Sequence, residues 1–310
     1  MNCQTDSLMS HHTSPIIGYH HAPLSQKFGA PRQPNLVALT SVIEMIAPYN
    51  TPAAFIGLAD FSHIWISWQF HHNYLNKEKQ IKKDEPANDD SQLNKANSSF
   101  RAQVRPPRLG GNQKIGVFAS RSMYRPSALG LSVVKLEAVE IVEGRVLLII
   151  SGADMIDGTP IIDIKPYVAY SDAVPDTKSG FAPTAPALLT VTITEPAYEQ
   201  FLQFIADQSA NNEEQNNNKK QNNNEKQKSY EEKKDSKKDT RTVTAVIDKT
   251  KKQLLLSDFD VIKALIAQDP RPAYRRKEIN TPFVMRYKSI DVSFQLIALG
   301  ELQITAVIEV

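Results

Sequence analysis

The clearest hydrophobic pattern in the chain is an alternation of apolar and polar positions over residues 61–72. It places Ile64, Ile66, Trp68 and Phe70 on one face and a mixture of His, Trp, Ser and Gln side chains on the other. Because successive side chains of a strand point to opposite faces, this pattern predicts a strand with one apolar and one partly polar face. The predicted strand ends at a pair of histidines.

Other short apolar runs, bounded by turn-forming residues, predict further strands. These runs are residues 15–19, 115–120, 131–142, 145–152, 160–166 and 188–194. Residues 36–46 have apolar positions at mixed spacing, which fits either a short helix or a strand. Glu143-Gly144 separates two of the runs and predicts a hairpin. Many short strands without alternating helices favour a small β-barrel over a doubly wound sheet.

After residue 195 the spacing of apolar residues becomes helical. Helices are predicted over residues 198–206 and 257–267, the second beginning at a serine cap and ended by Asp269-Pro270. Two strands follow, at residues 283–298 and 302–310, with a Leu-Gly turn between them. This part of the chain is predicted to be a separate, smaller α+β module.

The chain is therefore predicted to be mainly β, with a barrel domain over residues 15–195 and an α+β module over residues 196–310. Three polar segments have almost no apolar residues to bury and are predicted to be disordered. They are residues 1–14, the insertion at 76–99 and the Asn-, Lys- and Glu-rich insertion at 208–240.

Charge and composition exclude several classes of protein. The formal net charge is only +2, so the chain as a whole makes no strong case for nucleic acid, although a basic patch can form locally. Cys3 is the single cysteine, which rules out an intrachain disulfide and disfavours a thiolate metal site. The first residues lack the pattern of a signal peptide, and the apolar run 146–150 is too short to cross a bilayer. A reducing cytoplasm is the expected location.

Residues 104–167 concentrate Arg, Gly, Pro and Asp between apolar runs, and turns of this composition usually present polar groups to a ligand. There is no Gly-rich dinucleotide loop, no phosphate loop of the Walker type and no nucleophile elbow. The paired histidines have no cysteine or carboxylate at helical ligand spacing, so no metal site is predicted. Asp154, Asp157 and Asp163 fit either an acid–base pair or simple turn formation.

A series of fragments in fixed order resembles the TrmO (TsaA/YaeB) family. The fragments are Pro31-Arg32-Gln33, Phe61-Ser62-His63, Phe70-His71, Val104-Arg105-Pro106-Pro107-Arg108, Phe118-Ala119-Ser120-Arg121-Ser122, Arg125-Pro126, Gly130-Leu131-Ser132, Asp157-Gly158-Thr159-Pro160 and Asp163-Ile164-Lys165-Pro166-Tyr167. The resemblance covers residues 16–170 and extends into the C-terminal module at residues 269–275. Proteins of this family are S-adenosylmethionine-dependent methyltransferases that act on threonylcarbamoyl-modified adenosine at position thirty-seven of tRNA.

The resemblance implies a β-barrel catalytic domain, a homodimer, and S-adenosylmethionine held by loops at the barrel mouth. The cofactor contacts that it implies are Pro31, Arg32, Gln33, His71, His72, Arg121, Leu131, Asp154, Met155, Ile156, Asp157 and Gly158. From the residues alone, the Pro-Arg-Gln segment fits a rigid surface turn better. His72 stands where the family commonly has Gln. The proton acceptor stays open between His71, a carboxylate such as Asp154 or Asp157, and a main-chain carbonyl.

Recognition of the tRNA anticodon loop would rest on basic side chains that contact phosphates and on an aromatic ring that stacks on a base. The residues predicted for this role are Arg105, Arg108, Arg125, Arg271, Tyr274, Arg275 and Arg276. For the C-terminal arginines a solvated or structural role fits equally well. Two other functions remain open: a non-catalytic RNA- or metabolite-binding barrel, and methyl transfer to a substrate other than tRNA.

Overall fold

The computed structural model describes residues 13–72, 101–226 and 241–310, with the backbone alone for residues 211–226. The strands are Gly18–His21 (β1), Thr40–Met45 (β2), His63–Gln69 (β3), Gln103–Val104 (β4), Ile115–Gly116 (β5), Leu129–Val142 (β6), Arg145–Ser151 (β7), Thr159–Pro166 (β8), Thr190–Ile193 (β9), Phe283–Tyr287 (β10), Ile290–Ala298 (β11) and Glu301–Glu309 (β12). The α-helices are Ala169–Asp172 (α1), Glu195–Lys226 (α2), Val243–Lys252 (α3) and Asp258–Ala267 (α4). None of the described helices is both long and apolar enough to cross a bilayer.

Six strands close into a barrel in the order β1-β2-β7-β6-β3-β8, which confirms the predicted barrel. Every neighbouring pair in it is antiparallel. Ile64, Ile66 and Trp68 of β3 point inward and are buried, as the alternation predicts. They pack against inward residues of the neighbouring strands, among them Val134 and Leu148. Residues 36–46, where a helix or a strand was open, contain strand β2.

The connections of the barrel bring three separated stretches of sequence to one end. Because the strands run antiparallel, the β1–β2, β3–β6 and β7–β8 connections all leave the barrel at the same end. They contain the Pro31-Arg32-Gln33 motif, the histidine pair with Arg121, and the turn at residues 154–158. The other end carries the β6–β7 hairpin, where Glu143 and Gly144 have φ values of 51° and 74°. Two left-handed residues match the twist of a two-residue hairpin, as predicted.

A second sheet has the order β10-β11-β12-β9, with β9 parallel to β12 and the other pairs antiparallel. Two sequence expectations need correction here. Strand β9 belongs to this sheet, so the domain boundary expected at residue 195 lies before β9. The single strand expected at residues 283–298 is the hairpin β10–β11, because Lys288 takes a left-handed conformation with φ 51°.

Helices α2 and α4 contribute buried apolar side chains, such as Phe201 and Ile262, to the core over the second sheet. Helix α4 agrees with its prediction to within one residue, although Ser257 makes no side-chain capping hydrogen bond, and α2 begins three residues before the predicted start. Helix α2 continues to Lys226, so the insertion expected to be disordered from residue 208 is helical up to that point. The Glu, Gln and Lys residues of this extension favour a helix and its many Asn residues do not, so the extension depends on the first turns of α2, which are anchored by packing. The rest of that insertion, residues 1–12 and the insertion at 76–99 lie outside the described residues.

The barrel and the C-terminal module exchange packing elements. The β1–β2 connection contributes Leu24, Val37 and Leu39 to the core of the C-terminal module. Phe28 of the same connection stacks on two rings of β10 and β11, with centroid distances of 6.3 and 6.2 Å. In return, α3 packs Val243 against the outside of barrel strands β2 and β7. The loop that carries the Pro-Arg-Gln motif is therefore held by the C-terminal module.

Candidate active site

The turn that joins β7 to β8, residues 154–158, is fixed by the neighbouring chain. The backbone N–H groups of Asp157 and Gly158 donate to Leu24 O and His20 O, each at 2.8 Å. Burial lowers the pKa of His20 to about 4, so its neutral ring donates from Nδ1 to Ile156 O at 3.2 Å. Gly158 has a φ of 76°, which other residues adopt only with strain. The turn is thus a rigid edge of the barrel mouth.

Asp154, one of the predicted cofactor contacts, presents a carboxylate that is held from below. Ser132 Oγ donates to Asp154 Oδ1 at 2.6 Å, and Trp68 Nε1 donates to the same hydroxyl at 3.0 Å. Burial raises the pKa of Asp154, while the Ser132 hydrogen bond and the charge of Arg121 oppose the rise. The chain from Trp68 through Ser132 fixes where the acidic group lies.

Asp157 is occupied by protein groups. Its Oδ1 accepts from Ala22 N at 3.2 Å, and its Oδ2 pairs with Lys251 Nζ of α3 at 2.7 Å. His21 Nδ1 lies 3.7 Å from Oδ1. Burial alone would raise the pKa of Asp157, but the interactions with His21 and Lys251 outweigh it and hold the pKa at about 2. A carboxylate paired in this way stabilises the turn and is a poor proton acceptor.

Gln33 and Arg121 meet across the mouth. Arg121 Nη1 donates to Gln33 Oε1 at 2.8 Å, and the charge of Arg121 opposes the rise in the pKa of Asp154. Pro31 is buried, whereas Arg32 turns the other way and donates from Nη2 to Asp269 O at 3.3 Å. The Pro-Arg-Gln motif therefore faces both the barrel mouth and the C-terminal module.

The histidine pair lies beside the same turn. The rings of His71 and His72 have centroids 4.1 Å apart. A Cβ atom added to Gly158 would lie 3.9 Å from His71 Nε2, which places the His71 ring against the turn. Burial lowers the pKa of His71, and the neighbouring His72 lowers it further. Lys27 Nζ donates to the carbonyl oxygen of His72 and so ties the pair to the β1–β2 connection.

Not all of the predicted contacts share this arrangement. The side chains of Met155 and Ile156 are buried, with Met155 in the barrel core, so they support the turn from beneath. Leu131 is 55% exposed and borders an open groove of about 450 Å³ on the outer face of the barrel, together with Trp65 and Tyr170. The alternation of β6 turns Leu131 away from Ser132, so its side chain lies on the outside of the barrel wall.

The residues predicted to bind RNA divide into exposed and structural groups. Arg105, Arg108 and Tyr274 are exposed, and Arg125 lies 5.8 Å from the centroid of the Phe118 ring. Arg271 does not reach the surface, because its side chain is 1% exposed and donates to both carboxylate oxygens of an aspartate, so a direct contact with RNA is not available to it in this structure.

Arg275 and Arg276 are partly exposed. Arg275 is paired with Glu278 by hydrogen bonds from Nε and Nη2 and stacks over the Phe283 ring at 4.5 Å. Arg276 pairs with Asp269. Both arginines therefore have protein partners in addition to a surface that an RNA could reach.

Sequence reasoning missed several residues that shape the mouth. Ser132 could have been found from the sequence, since the alternation of β6 directs this polar residue toward the inside of the barrel. Lys251 and His21 had no such signal, because Asp157 is distant from both in sequence; the Lys251 contact depends on how α3 docks, and the His21 contact depends on how β1 pairs beside the turn. In the described part of the chain, no group of three or more His, Cys, Asp or Glu side chains is arranged to hold a metal ion.

Two family models match this chain, one for each module. Residues 19–173 match the family model of the tRNA-methyltransferase O N-terminal domain, and residues 239–310 match that of the TrmO C-terminal domain. The chain is 31% identical over 293 residues to the tRNA (adenine(37)-N6)-methyltransferase of Escherichia coli K12, covering 91% of this chain and 95% of that protein. It is 45% identical over 193 residues to a putative S-adenosylmethionine-dependent methyltransferase, RcsF, of Pseudomonas aeruginosa, covering 62% and 69% of the two chains.

Solved structures agree with the sequence relatives. A crystal structure of TrmO superposes with a TM-score of 0.60 at 26% identity, covering 96% of this chain and 99% of that one. A TrmO structure from Pseudomonas aeruginosa gives 0.60 at 25% identity, covering 97% and 99%. The match spans both modules, so the likeness extends to the whole architecture.

Proposed function

The chain belongs to the TrmO family, and we propose that it methylates N6 of threonylcarbamoyladenosine at position 37 of tRNA. Membership of this family makes it an S-adenosylmethionine-dependent methyltransferase of the class that modifies adenine 37 of tRNA. The threonylcarbamoyl substrate and its doubly modified product are the finer part of the proposal. The observation that most supports methyl transfer by this chain is the convergence of Gln33, Arg121, Asp154 and His71 from three connections at one end of the barrel.

The residues at the mouth suit S-adenosylmethionine. Its amino acid end carries an ammonium and a carboxylate, which need an acceptor and a donor close together. The carboxylate of Asp154 and the guanidinium of Arg121 offer this combination, and Gln33 supports the guanidinium. Gly158 leaves the space beside His71 open, because a side chain there would fill it. When bound, the cofactor supplies an activated methyl group.

The contribution of the protein is mainly to position the reactants. Ser132 and Trp68 lock Asp154, and Lys251 with His21 locks the turn on its other side. Such fixed groups hold a bound partner in one orientation, which supplies much of the rate gain of a transfer that needs no covalent intermediate on the protein.

The proton that leaves N6 needs an acceptor, and we assign it to His71. The pKa of His71 is lowered, chiefly by burial, which favours the neutral ring, and a neutral ring can accept a proton at one of its nitrogens. Asp157 does not fit this role, because its oxygens are paired and its pKa is held at about 2. Asp154 is engaged by Ser132 and is better placed to bind an ammonium group.

The test is methyl transfer from labelled S-adenosylmethionine to tRNA with and without the threonylcarbamoyl group, followed by mass spectrometry of the nucleosides. We expect label at adenine 37 of the modified tRNA only. His71→Gln should lower kcat at least about a hundredfold, in the range of general base loss, with little change in cofactor affinity. His72→Gln, which introduces the residue common in the family, is the matched control and should retain activity.

The alternatives predict different results. Tight binding of cofactor and tRNA without any methyl transfer would indicate a non-catalytic barrel, and product formed without tRNA would indicate another substrate. Equal labelling of tRNA that lacks the threonylcarbamoyl group would contradict the proposed substrate and leave the family activity intact. Homodimer formation stays a prediction that light scattering can check.

A further inference from the structure

Three arginines surround Asp269 where the β1–β2 connection meets the C-terminal module. Arg271 donates from Nε and Nη2 to the two carboxylate oxygens of Asp269 at 2.7 and 3.2 Å. Arg276 donates from Nη2 to the main-chain oxygen of Asp269 at 3.4 Å, with its Nε 3.3 Å from Oδ2. Arg32 donates from Nη2 to that same main-chain oxygen at 3.3 Å. We call these four residues the Asp269 cluster.

The Asp269 cluster carries more positive than negative charge. Three guanidinium groups, which stay protonated in proteins, face one carboxylate. Arg271 is buried, and its Nη1 has no hydrogen-bond partner among the described residues. Although Arg32 reaches the surface, partial desolvation lowers its pKa, and the charge of Arg276 lowers it further. The neighbouring Glu278 does not balance the charge, since it is paired with Arg275.

Arg32 and Arg276 bring this excess charge to the surface. Both side chains converge on one carbonyl oxygen, so the two guanidinium groups lie close together; Arg276 Nε is buried, but Arg32 is exposed and Arg276 is partly exposed, so a ligand can reach the pair. Planar guanidinium donors in pairs suit phosphate oxygens. Arg271 lies behind them and contributes charge without contact with solvent.

The Asp269 cluster lies between the candidate active site and a second basic turn. Gln33, the residue after Arg32, reaches Arg121 at the barrel mouth, so the cluster adjoins the candidate active site. On its other side, a Cβ at Gly111 would lie 3.8 Å from Ala273 Cβ, which brings the exposed basic turn with Arg108 next to the cluster. A chain of phosphates could follow this seam toward the mouth.

We infer that Arg32 and Arg276, oriented by Asp269 and backed by Arg271, bind a backbone phosphate of the RNA substrate at the seam between the two modules. The inference rests on the proposed function for the identity of the RNA. It makes the C-terminal module part of the RNA surface through one defined contact, and it assigns Asp269 as the residue that positions both donors.

The experiment measures binding of unmodified tRNA to the full chain over a series of salt concentrations, for the wild type, Arg276→Gln and Arg276→Lys. We expect Arg276→Gln to weaken binding about three- to tenfold and to reduce the slope of log K against log salt by about 0.7 to 0.9, the value for one phosphate contact. Arg276→Lys keeps the charge and should keep the slope while losing part of the affinity. Arg145→Gln is the control, since Arg145 is an exposed arginine with one carboxylate partner, Glu44, on the barrel.

A slope unchanged in Arg276→Gln, or one lowered equally in Arg145→Gln, would overturn the inference, provided that circular dichroism finds both variants folded. A loss of S-adenosylmethionine affinity with normal tRNA binding would also overturn it, because the cluster would then bind the cofactor carboxylate. The readout needs no methyl transfer. A chain without methyltransferase activity can therefore still support the phosphate site, and an active one can refute it.

Discussion

The fastening of the β7–β8 turn by Asp157 and Lys251 can be tested quantitatively. The ordinary pKa of 3.8 falls to about 2 in Asp157, which corresponds to about 2 kcal/mol of stability at neutral pH. That sum is shared by Lys251, His21 and Ala22 N, and the Lys251 side chain is 33% exposed. We therefore expect Asp157→Asn to cost about 2 kcal/mol and Lys251→Met about 1 kcal/mol at pH 7, after allowance for solvent screening.

The assay is urea unfolding followed by tryptophan fluorescence. Both tryptophans of the chain, Trp65 and Trp68, lie in β3, so their emission reports the barrel and not the C-terminal module. In the Asp157→Asn background, Lys251→Met should cost almost nothing, which gives a coupling energy of about 1 kcal/mol. Lys252→Met is the control, because its pair with Asp248 is exposed and worth only about 0.3 to 0.5 kcal/mol.

The dependence on pH has a definite sign. Because the pKa of Asp157 is lower in the folded than in the unfolded chain, its contribution is complete above about pH 4 and is lost as the pH falls toward 2. The deficit of Asp157→Asn should shrink from about 2 kcal/mol at pH 7 to about 1 kcal/mol at pH 3. A deficit constant over this range, or additive costs in the double variant, would refute the fastening role.

Two further predictions concern packing. Gly130→Ala should lower the free energy of unfolding by about 1 to 3 kcal/mol in the same assay, because its Cβ would lie 2.2 Å from Trp68 Cε2. Gly116→Ala is the control and should be nearly neutral, because Gly116 has open space around it and a φ of −59°. Equal costs in the two variants would contradict the predicted clash. Phe28→Ala should lower the stability of the C-terminal module by about 2 to 4 kcal/mol, because it removes the ring that stacks on β10 and β11. It should also weaken S-adenosylmethionine binding, measured by calorimetry, because the loop that carries Gln33 is no longer held. An unchanged cofactor affinity in a folded variant would show that this loop does not take part in cofactor binding.

The barrel could be predicted from the sequence because its strands carry their own signals. The alternation around Ile64 and Ile66 and the turn at Glu143-Gly144 are local patterns, and each appears in the structure where it was expected. The assignment of β9 to the barrel failed because a four-residue strand says nothing about its partner, and β9 pairs in parallel with a strand more than a hundred residues later.

The sequence motifs predicted which residues lie at the candidate site, but they did not predict which of these residues are already paired with other protein groups. The family resemblance pointed to Asp154 and Arg121, but it could not separate a carboxylate held by one hydroxyl, such as Asp154, from one that is paired with a lysine, such as Asp157. That distinction depends on Lys251, which arrives from a helix of the other module. The burial of Arg271 could not be predicted either: its aspartate partner stands only two residues earlier, but whether the pair is covered depends on packing, for example against the Phe283 ring 5.9 Å away.

The exchange of packing elements has a consequence for how the protein can be divided. The β1–β2 loop completes its fold only against β10 and β11, so a barrel expressed alone would expose Leu24, Val37 and Leu39 to water. Its Pro-Arg-Gln motif would keep the right sequence on a loop with nothing beneath it. The C-terminal module therefore shapes one wall of the barrel mouth, although it lies in the last part of the sequence.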